Sequence, residues 1–390
     1  MNSLNFNFYL RLYLIILFIF ATFFFFQKYN NTVEWTISEW LINYQGGFTR
    51  RGFLGEVIFQ LNKFTNLTIR ETILLFQILS YLIYFYLVFR LLKNSKIHLV
   101  FIFAIFSPIF VIYPIAEVEV LGRKEIFIFI SFLIVINIFS KNNIEIKDYV
   151  IFSIILSIVC LIWEGLIIYL SFFAFILFLK NHSNLNKIFY LKIFLSFLPI
   201  LITFYFIFYF RLNSEQLKIM CDSVNECYGA MTYLNRNLSS NIGEVISKFK
   251  LSYLIRYILI FLIGFLPLLL LILNSKLNFK TKIKNKYFFL ILFLLAFFPS
   301  FSFYYIAQDW GRWINISYTL SLFTYIFCFK NSLIILDIEK LNFTIFKKKI
   351  ITTFLFILFS FAWSPKTLIN EDVSSIPIYR KTLNIIKSIN

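Results

Sequence analysis

The eighteen residues from Tyr257 to Asn274 carry no charge, and stretches of this kind recur along the chain. A hydrocarbon layer about 30 Å thick is crossed by roughly 20 apolar residues in helix. Inside that layer every backbone N–H and C=O needs a partner within the protein, and a helix provides one locally. A chain with many such stretches has few alternatives to a bundle of membrane helices. The composition agrees, with 60% hydrophobic residues, 22% aromatic and 14% charged. The expectation is an all-α, polytopic membrane protein with a single transmembrane domain over 1–390 and about eleven spans.

The spans are expected near 9–27, 72–92, 97–116, 126–140, 149–163, 165–179, 188–210, 252–274, 287–306, 313–330 and 350–364. The first follows Arg11 and ends in "ATFFFFQKYN", without the small residues of a signal-peptide cleavage site, so it reads as an uncleaved span. The stretch 149–179 is too short for two comfortable spans and too long for one. One long helix would put the lysine-dense loop 276–286 outside, against the positive-inside rule. Two short helices meeting at Glu164–Gly165 are therefore expected.

With that choice the lysine-rich, arginine-free loops 93–96, 141–147, 180–187, 276–286 and 340–349 are all cytoplasmic. The first external loop is 27–71, and 211–251 forms an external cap. The formal charge of +18 does not indicate a nucleic-acid partner. No basic region is large or continuous enough for such a surface, and lysine, like the abundant Phe, Ile, Asn and Tyr, has AT-rich codons. Cys160 and Cys328 sit in apolar spans and read as small hydrophobes. Cys221 and Cys227 share the cap loop with no histidine beside them, so a disulfide is expected there and a metal site is not.

The charged residues that remain gather at the external ends of spans. In the first loop, Val33, Ile37, Trp40, Leu41 and Tyr44 recur at helical spacing, with Glu34 and Ser38 on another face. That pattern predicts an interfacial amphipathic helix anchored by Trp35 and Trp40. Next comes "NYQGGFTRRGFLGE", residues 43–56. Gly46–Gly47 allow a tight turn with exposed amides, and Arg50–Arg51 stand where the next helix could start. Amides, a helix N-terminus and guanidinium forks suit a phosphate. Pairing of the same arginines with lipid headgroups is the plainer reading.

"EVEVLGRKE" (117–125) holds Glu117, Glu119 and Glu125 with Arg123 and Lys124, either as a site or as a self-neutralising cluster. Glu164 lies inside an apolar stretch, where an ionisable residue is costly and marks a candidate site. A hairpin tip reaching water would explain it equally. Asp309 and Arg312 in "QDWGRW" are three apart and face one way on a helix, as a site or as a salt bridge. P-loop, nucleophile-elbow and zinc-protease motifs are missing, and His98 and His182 fall at cytoplasmic ends. Acid–base chemistry at the external face would therefore rest on carboxylates, with no cofactor implied.

An uncleaved first span, a carboxylate-bearing first external loop, about eleven spans and extracytoplasmic arginines together resemble the GT-C class of membrane glycosyltransferases. "EWLINYQGGFTRRGFLGE", "LGRKE" and "DWGRWI" are also similar to stretches of membrane proteins from bacterial surface-polysaccharide clusters. The resemblance implies a polyprenyl-phosphate or polyprenyl-diphosphate sugar donor, a glycan or lipid acceptor, and an active face outside the bacterial inner membrane. The class carries an aspartate close after its first span; here Glu34 and Glu39 stand in that place.

In such a reaction a carboxylate takes the acceptor's proton while fixed cations hold the leaving phosphate. Glu39 is then the expected base, with Asp309 and Glu34 next. Arg50, Arg51, Arg123, Lys124 and Arg312 are the expected phosphate ligands, and Glu56, Glu117, Glu119 and Glu164 are further candidates. O-antigen polymerases share the architecture but have a longer external loop. A transporter or flippase would account for the break at Glu164, and a non-catalytic scaffold would need none of this chemistry.

Overall fold

The computed structural model describes residues 3–31, 33–94, 98–141, 143–182, 186–236, 238–278, 288–341 and 348–369. The lysine-rich loops 276–286 and 340–349 lie largely outside these residues. In chain order the helices are α1 (Ser3–Tyr29), α2 (Trp35–Leu41), α3 (Gly52–Phe64), α4 (Ile69–Leu92), α5 (Leu99–Ile105), α6 (Tyr113–Ala116), α7 (Ile126–Phe139), α8 (Ile146–Ile162) and α9 (Leu166–Lys180). They continue with α10 (Lys187–Tyr209), α11 (Ser214–Val224), α12 (Leu238–Lys248), α13 (Leu251–Leu273), α14 (Phe288–Phe297), α15 (Ser302–Ile306), α16 (Trp310–Lys330) and α17 (Lys349–Phe361). Strands β1 (Ser275–Leu277) and β2 (Ile334–Leu336) form an antiparallel pair, with Lys276 opposite Ile335.

Four helices are long and apolar enough to cross a membrane: Asn5–Tyr29, Ile69–Leu92, Lys187–Tyr209 and Leu251–Leu273. Shorter apolar helices include Ile126–Phe139, Leu166–Lys180, Phe293–Ile306 and Lys349–Phe361. The long helices carry exposed apolar rows, such as Leu191, Phe194, Leu195, Leu198, Leu201 and Ile202 on α10. In water such a row would be an aggregation surface, whereas lipid solvates it. The protein is therefore an all-α, membrane-associated chain.

The chain forms two compact units, one of 1–9, 92–120 and 239–390, the other of 10–91 and 121–238. The first is built around α16, which is buried from Trp310 to Cys328. Against it lies the segment expected to be a single span at 97–116. Instead α5 stops at Ile105 and the chain runs irregularly to α6. Pro108 explains the break, because it lacks an N–H and disfavours helix at Ser107. Asn315 Nδ2 donates to the Ile109 and Phe110 carbonyls at 3.0 and 3.1 Å, Tyr318 Oη to the Ala104 carbonyl at 2.8 Å, and Ser107 Oγ to the Gly264 carbonyl at 3.3 Å. Buried backbone that leaves the helix is stable only when protein groups replace the lost bonds in this way.

The second unit contains the first loop and residues 211–238 of the cap, and the rest of the cap belongs to the first unit. The stretch 149–179 is two helices, α8 and α9, which meet at Trp163–Gly165. A Cβ on Gly165 would collide with the Trp163 ring, so the turn takes only glycine there. Helix α2 differs from the expected interfacial strut, because every residue from Thr36 to Leu41 is buried. Trp40 is a core residue whose Nε1 donates to the Gly122 carbonyl at 2.6 Å. Ile37, Trp40 and Leu41 pack with Leu54 and Ile58 of α3 and Met220 and Val224 of α11. The cap is itself helical: α11, closed by an Asn213–Gln216 capping box, and α12 occupy most of 211–251. Cys221 and Cys227 are joined by a disulfide.

Candidate functional site

In the unit holding α2, four segments distant in sequence bring charge together. Helix α2 supplies Glu39, the loop before α3 supplies Arg50 and Arg51, the turn before α7 supplies Lys124, and the α8–α9 junction supplies Glu164. Arg51 is the hub. Its Nε donates to Glu164 Oε1 and Oε2 at 3.0 and 2.9 Å, its Nη2 to Glu164 Oε1 at 2.8 Å, and its Nη1 to Glu39 Oε1 at 3.1 Å. Its carbonyl accepts from Lys124 Nζ at 2.6 Å. The residue has φ +64°, a left-handed conformation unusual for a side chain larger than asparagine. Strain of this kind persists where surrounding bonds over-determine it, and it concentrates at functional sites.

Arg50 is held more loosely. Its Nη1 stands 3.8 Å from Glu164, and its Nη2 donates to the Tyr233 and Leu234 carbonyls at 2.9 and 3.4 Å. Burial pulls its pKa down, Glu164 opposes that, and Arg51 and Arg211 lower it further. Lys124 is fully buried. Burial lowers its pKa, Arg51 adds to the fall, and the opposing Glu39 and Glu164 leave it at about 7. For Glu164 burial acts upward, but Arg51 and Arg50 outweigh it and hold the carboxyl at about 2. Three basic groups, Arg50, Arg51 and Lys124, thus face two carboxylates, Glu39 and Glu164. An anion bound at Arg50 would relieve that imbalance.

Access differs between the two acids. The Glu39 side chain is closed off, while those of Glu164, Arg51 and Arg50 are 17%, 26% and 31% exposed. The solvent-reachable face of the cluster is therefore the Arg50–Glu164 side, with Glu39 behind Arg51.

The remaining candidates in this unit lie elsewhere. Glu34 pairs with the buried Lys28 at 3.1 Å, and Lys28 also donates to the Leu121 carbonyl at 3.0 Å. Glu56 accepts from the Tyr44 amide and the Gln45 and Gln60 side chains, tying the loop to α3. Arg123 stacks over the Trp35 ring at 5.6 Å. The glycine pair does not form an anion-binding turn. The Gly47 amide is used within the turn, donating to the Tyr44 carbonyl at 3.0 Å, and a Cβ on Gly46 would collide with the Gln216 carbonyl of α11. These glycines seat the cap on the loop.

Asp309, Arg312 and Glu117 belong to the other unit. Asp309 and Arg312 form an ion pair at the start of α16, and Glu117 pairs with Lys366 at 3.5 Å. The Gly311 amide donates to the Thr367 carbonyl at 3.2 Å, and Tyr257 Oη to the Lys366 carbonyl at 2.9 Å. The Gly311–Thr367 backbone bond fastens the segment after α17 onto α16, the Glu117–Lys366 pair ties it to the end of α6, and the Asp309–Arg312 pair closes the first turn of α16. Glu119 is exposed on the same unit.

Sequence reasoning missed Arg211, which acts electrostatically on Arg50, and the carbonyls of Tyr233 and Leu234. An arginine directly after the expected span 188–210, at its expected external end, was the available signal; the carbonyls left none. It also missed the tie from Arg70 to Glu226 and Tyr228 Oη, at 2.6 and 2.8 Å, beside the disulfide. Among the described residues no three His, Cys, Asp or Glu side chains come close enough to hold a metal ion. Compared with models of protein families, with curated proteins and with solved structures, the chain matches none.

Proposed function

We propose that this chain is an integral membrane glycosyltransferase of about eleven spans in the bacterial inner membrane, with its active face extracytoplasmic. It moves a sugar from a polyprenyl-phosphate or polyprenyl-diphosphate donor to a glycan or lipid-linked acceptor. The observation that carries this reading is the pairing of a solvent-reachable carboxylate, Glu164, with an under-compensated guanidinium, Arg50, on a rigid hub. A carboxylate to take the acceptor's proton and a guanidinium to hold the leaving phosphate are the two groups that transfer from a lipid phosphate uses.

The donor phosphate binds Arg50, with Arg211 beside it. The acceptor hydroxyl forms a bond to the anomeric carbon as the bond from that carbon to the phosphate oxygen breaks. The proton passes to a carboxylate, and the lipid phosphate leaves with the electron pair against the guanidiniums. Glu164 is the base on this reading, and Glu39, first expected in that role, positions Arg51 from behind. Arg51 first and Arg50 second hold the Glu164 carboxyl low, and phosphate at Arg50 weakens the second of these and so raises the basicity of Glu164. Donor binding thereby readies the base.

Deletion of the gene, with complementation by wild type or Glu164→Gln, tests the function. Loss of a surface glycan with accumulation of its lipid-linked intermediate is expected in the deletion and in the Glu164→Gln strain. Unchanged glycans and lipid intermediates in the deletion would contradict an enzyme of this class.

A further inference from the structure

The strand pair of the first unit has a surface that the transfer chemistry does not use. Helix α13, to which β1 is joined, is long and apolar enough to cross a membrane. At 1.5 Å per residue it reaches about 35 Å, slightly more than a hydrocarbon layer of about 30 Å. β1 begins at Ser275, directly beyond the end of α13 at Leu273, and β2 begins at Ile334, shortly after α16 ends at Lys330. A ribbon joined this closely to the end of a spanning helix lies at the depth of the lipid headgroups.

Its two faces differ. Leu333 and Ile334 are buried, whereas Ile335 is 54% exposed. Residues directly opposite in an antiparallel pair project to the same face. Lys276, opposite Ile335, therefore shares the outer face with it. The chain then continues through Ile338, 55% exposed, and the exposed Lys340. Lys276 and Lys340 share a single carboxylate, Asp337, at 3.1 and 3.7 Å. At the end of α16, Lys330 Nζ donates to the Lys93 carbonyl at 3.1 Å. With the exposed Glu339 included, the ammoniums of Lys93, Lys276, Lys330 and Lys340 outnumber the carboxylates of Asp337 and Glu339. The ribbon is firmly held. The Asp337 amide donates to the Asn274 carbonyl at 2.8 Å, the Asn278 amide to the Leu333 carbonyl at 2.9 Å, and Ser275 Oγ meets Tyr325 Oη of α16 at 2.9 Å.

Apolar side chains beside lysines suit the boundary between acyl chains and phosphates, where the first are solvated by lipid and the second by anionic headgroups. The face is too small for another role: a stable protein partner covers roughly 800 Å² on each side. We propose that Ile335 and Ile338 insert into the leaflet at the end of α13, and that Lys276 and Lys340 bind the headgroups of its anionic phospholipids. An ammonium has three N–H donors, so sharing Asp337 leaves each lysine donors for a phosphate. The ribbon is then a lipid-reading anchor at the foot of α13 and α16. The inference does not depend on the glycosyltransferase reading.

Spin labels test it on the purified full chain in lipid nanodiscs, which leave both membrane faces open to water. Single cysteines replace Ile335, Ile338 or, as an aqueous control, the exposed Ser332. Each carries a nitroxide, whose relaxation is read with oxygen, which concentrates in lipid, and with a neutral nickel chelate, which stays in water. With phosphatidylglycerol present, oxygen should dominate at 335 and 338 and nickel at 332. The oxygen-to-nickel ratio at 335 should fall by about fivefold in phosphatidylcholine alone, the population shift of one lysine at an anionic surface. Lys276→Gln with Lys340→Gln should give that lower ratio in both lipids. The same double variant without a label should retain less phosphatidylglycerol than wild type in native mass spectrometry. Nickel access at 335 and 338 equal to that at 332 overturns the anchor. A ratio indifferent to phosphatidylglycerol overturns the headgroup recognition, and so does undiminished lipid retention by the double variant. Labels at 335 and 338 shielded from both oxygen and nickel would mark a protein contact, such as a second copy of this chain, and would also overturn it.

Discussion

Arg50 and Arg51 are neighbours in sequence with different tasks. Arg51 spends all three of its donor nitrogens on Glu39 and Glu164, so its contribution is geometric. Lysine keeps the charge but cannot bond two carboxylates through a planar fork. Arg51→Lys should therefore lower donor turnover by about tenfold or more and also loosen α3, measured as transfer rate and thermal stability together. Lys124 offers a second test, through pH. Its proton is held less tightly in the folded chain, at about 7, than in the unfolded chain, near the usual 10.5. Between those values the unfolded state binds more protons, so stability rises with pH across that window. Thermal unfolding of the purified protein should shift upward from pH 7 to pH 10, and Lys124→Met should flatten that slope. A slope unchanged by the substitution would refute the buried, under-compensated ammonium. Glu164 acts oppositely: its stabilisation is present above its ordinary carboxylate value and is lost as pH falls toward about 2.

At the scale of elements, Asn315 holds a broken helix in place. Asn315→Leu would leave the Ile109 and Phe110 carbonyls without their donor, at a cost of about 1–3 kcal/mol each. A denaturation midpoint equal to that of wild type would refute this account of the break. Much of the helix pattern was legible beforehand, because charge-free length is set by the solvent and not by tertiary contacts. The junction at Glu164–Gly165 was readable for the same reason, since only two helices kept the lysine loops on one side. The break after Ile105 had its signal in Pro108, but it was read as a continuous span because Ser107–Pro108 sits in an apolar run. The burial of α2 was not legible. Spacing identifies an apolar face, but seven residues cannot show whether lipid or protein covers it. The capping box of α11 was visible in Asn213 and Gln216, but the polar cap invited a loop.

For the whole molecule, the proposed topology follows lysine placement and carries its own test. A single cysteine at exposed Ser239, in the cap, should react with an impermeant maleimide in intact cells, and one at exposed Ser332 should not. The native background is low, since Cys221 and Cys227 are joined and Cys160 and Cys328 are buried. Labelling of Ser332→Cys alone would invert the chain and move the Arg50 cluster to the cytoplasm. The site was only partly legible as a group of residues. Glu39, Arg50, Arg51, Lys124 and Glu164 were all named from their charge at span ends, and they do meet within one unit. Asp309 and Arg312 carried the same signal, but they form a charge-balanced clamp in the other unit. Sequence shows where charge is costly; whether a partner or a ligand meets that cost depends on contacts across the fold.

That distinction is the central claim, and binding of the lipid phosphate tests it directly. Native mass spectrometry of the purified chain with polyprenyl phosphate should show a bound lipid in wild type. Arg50→Gln should reduce its occupancy by about tenfold or more, as loss of one charge-assisted fork requires, while Arg312→Gln should retain it. Undiminished binding to Arg50→Gln, or binding lost in Arg312→Gln alone, would contradict the account.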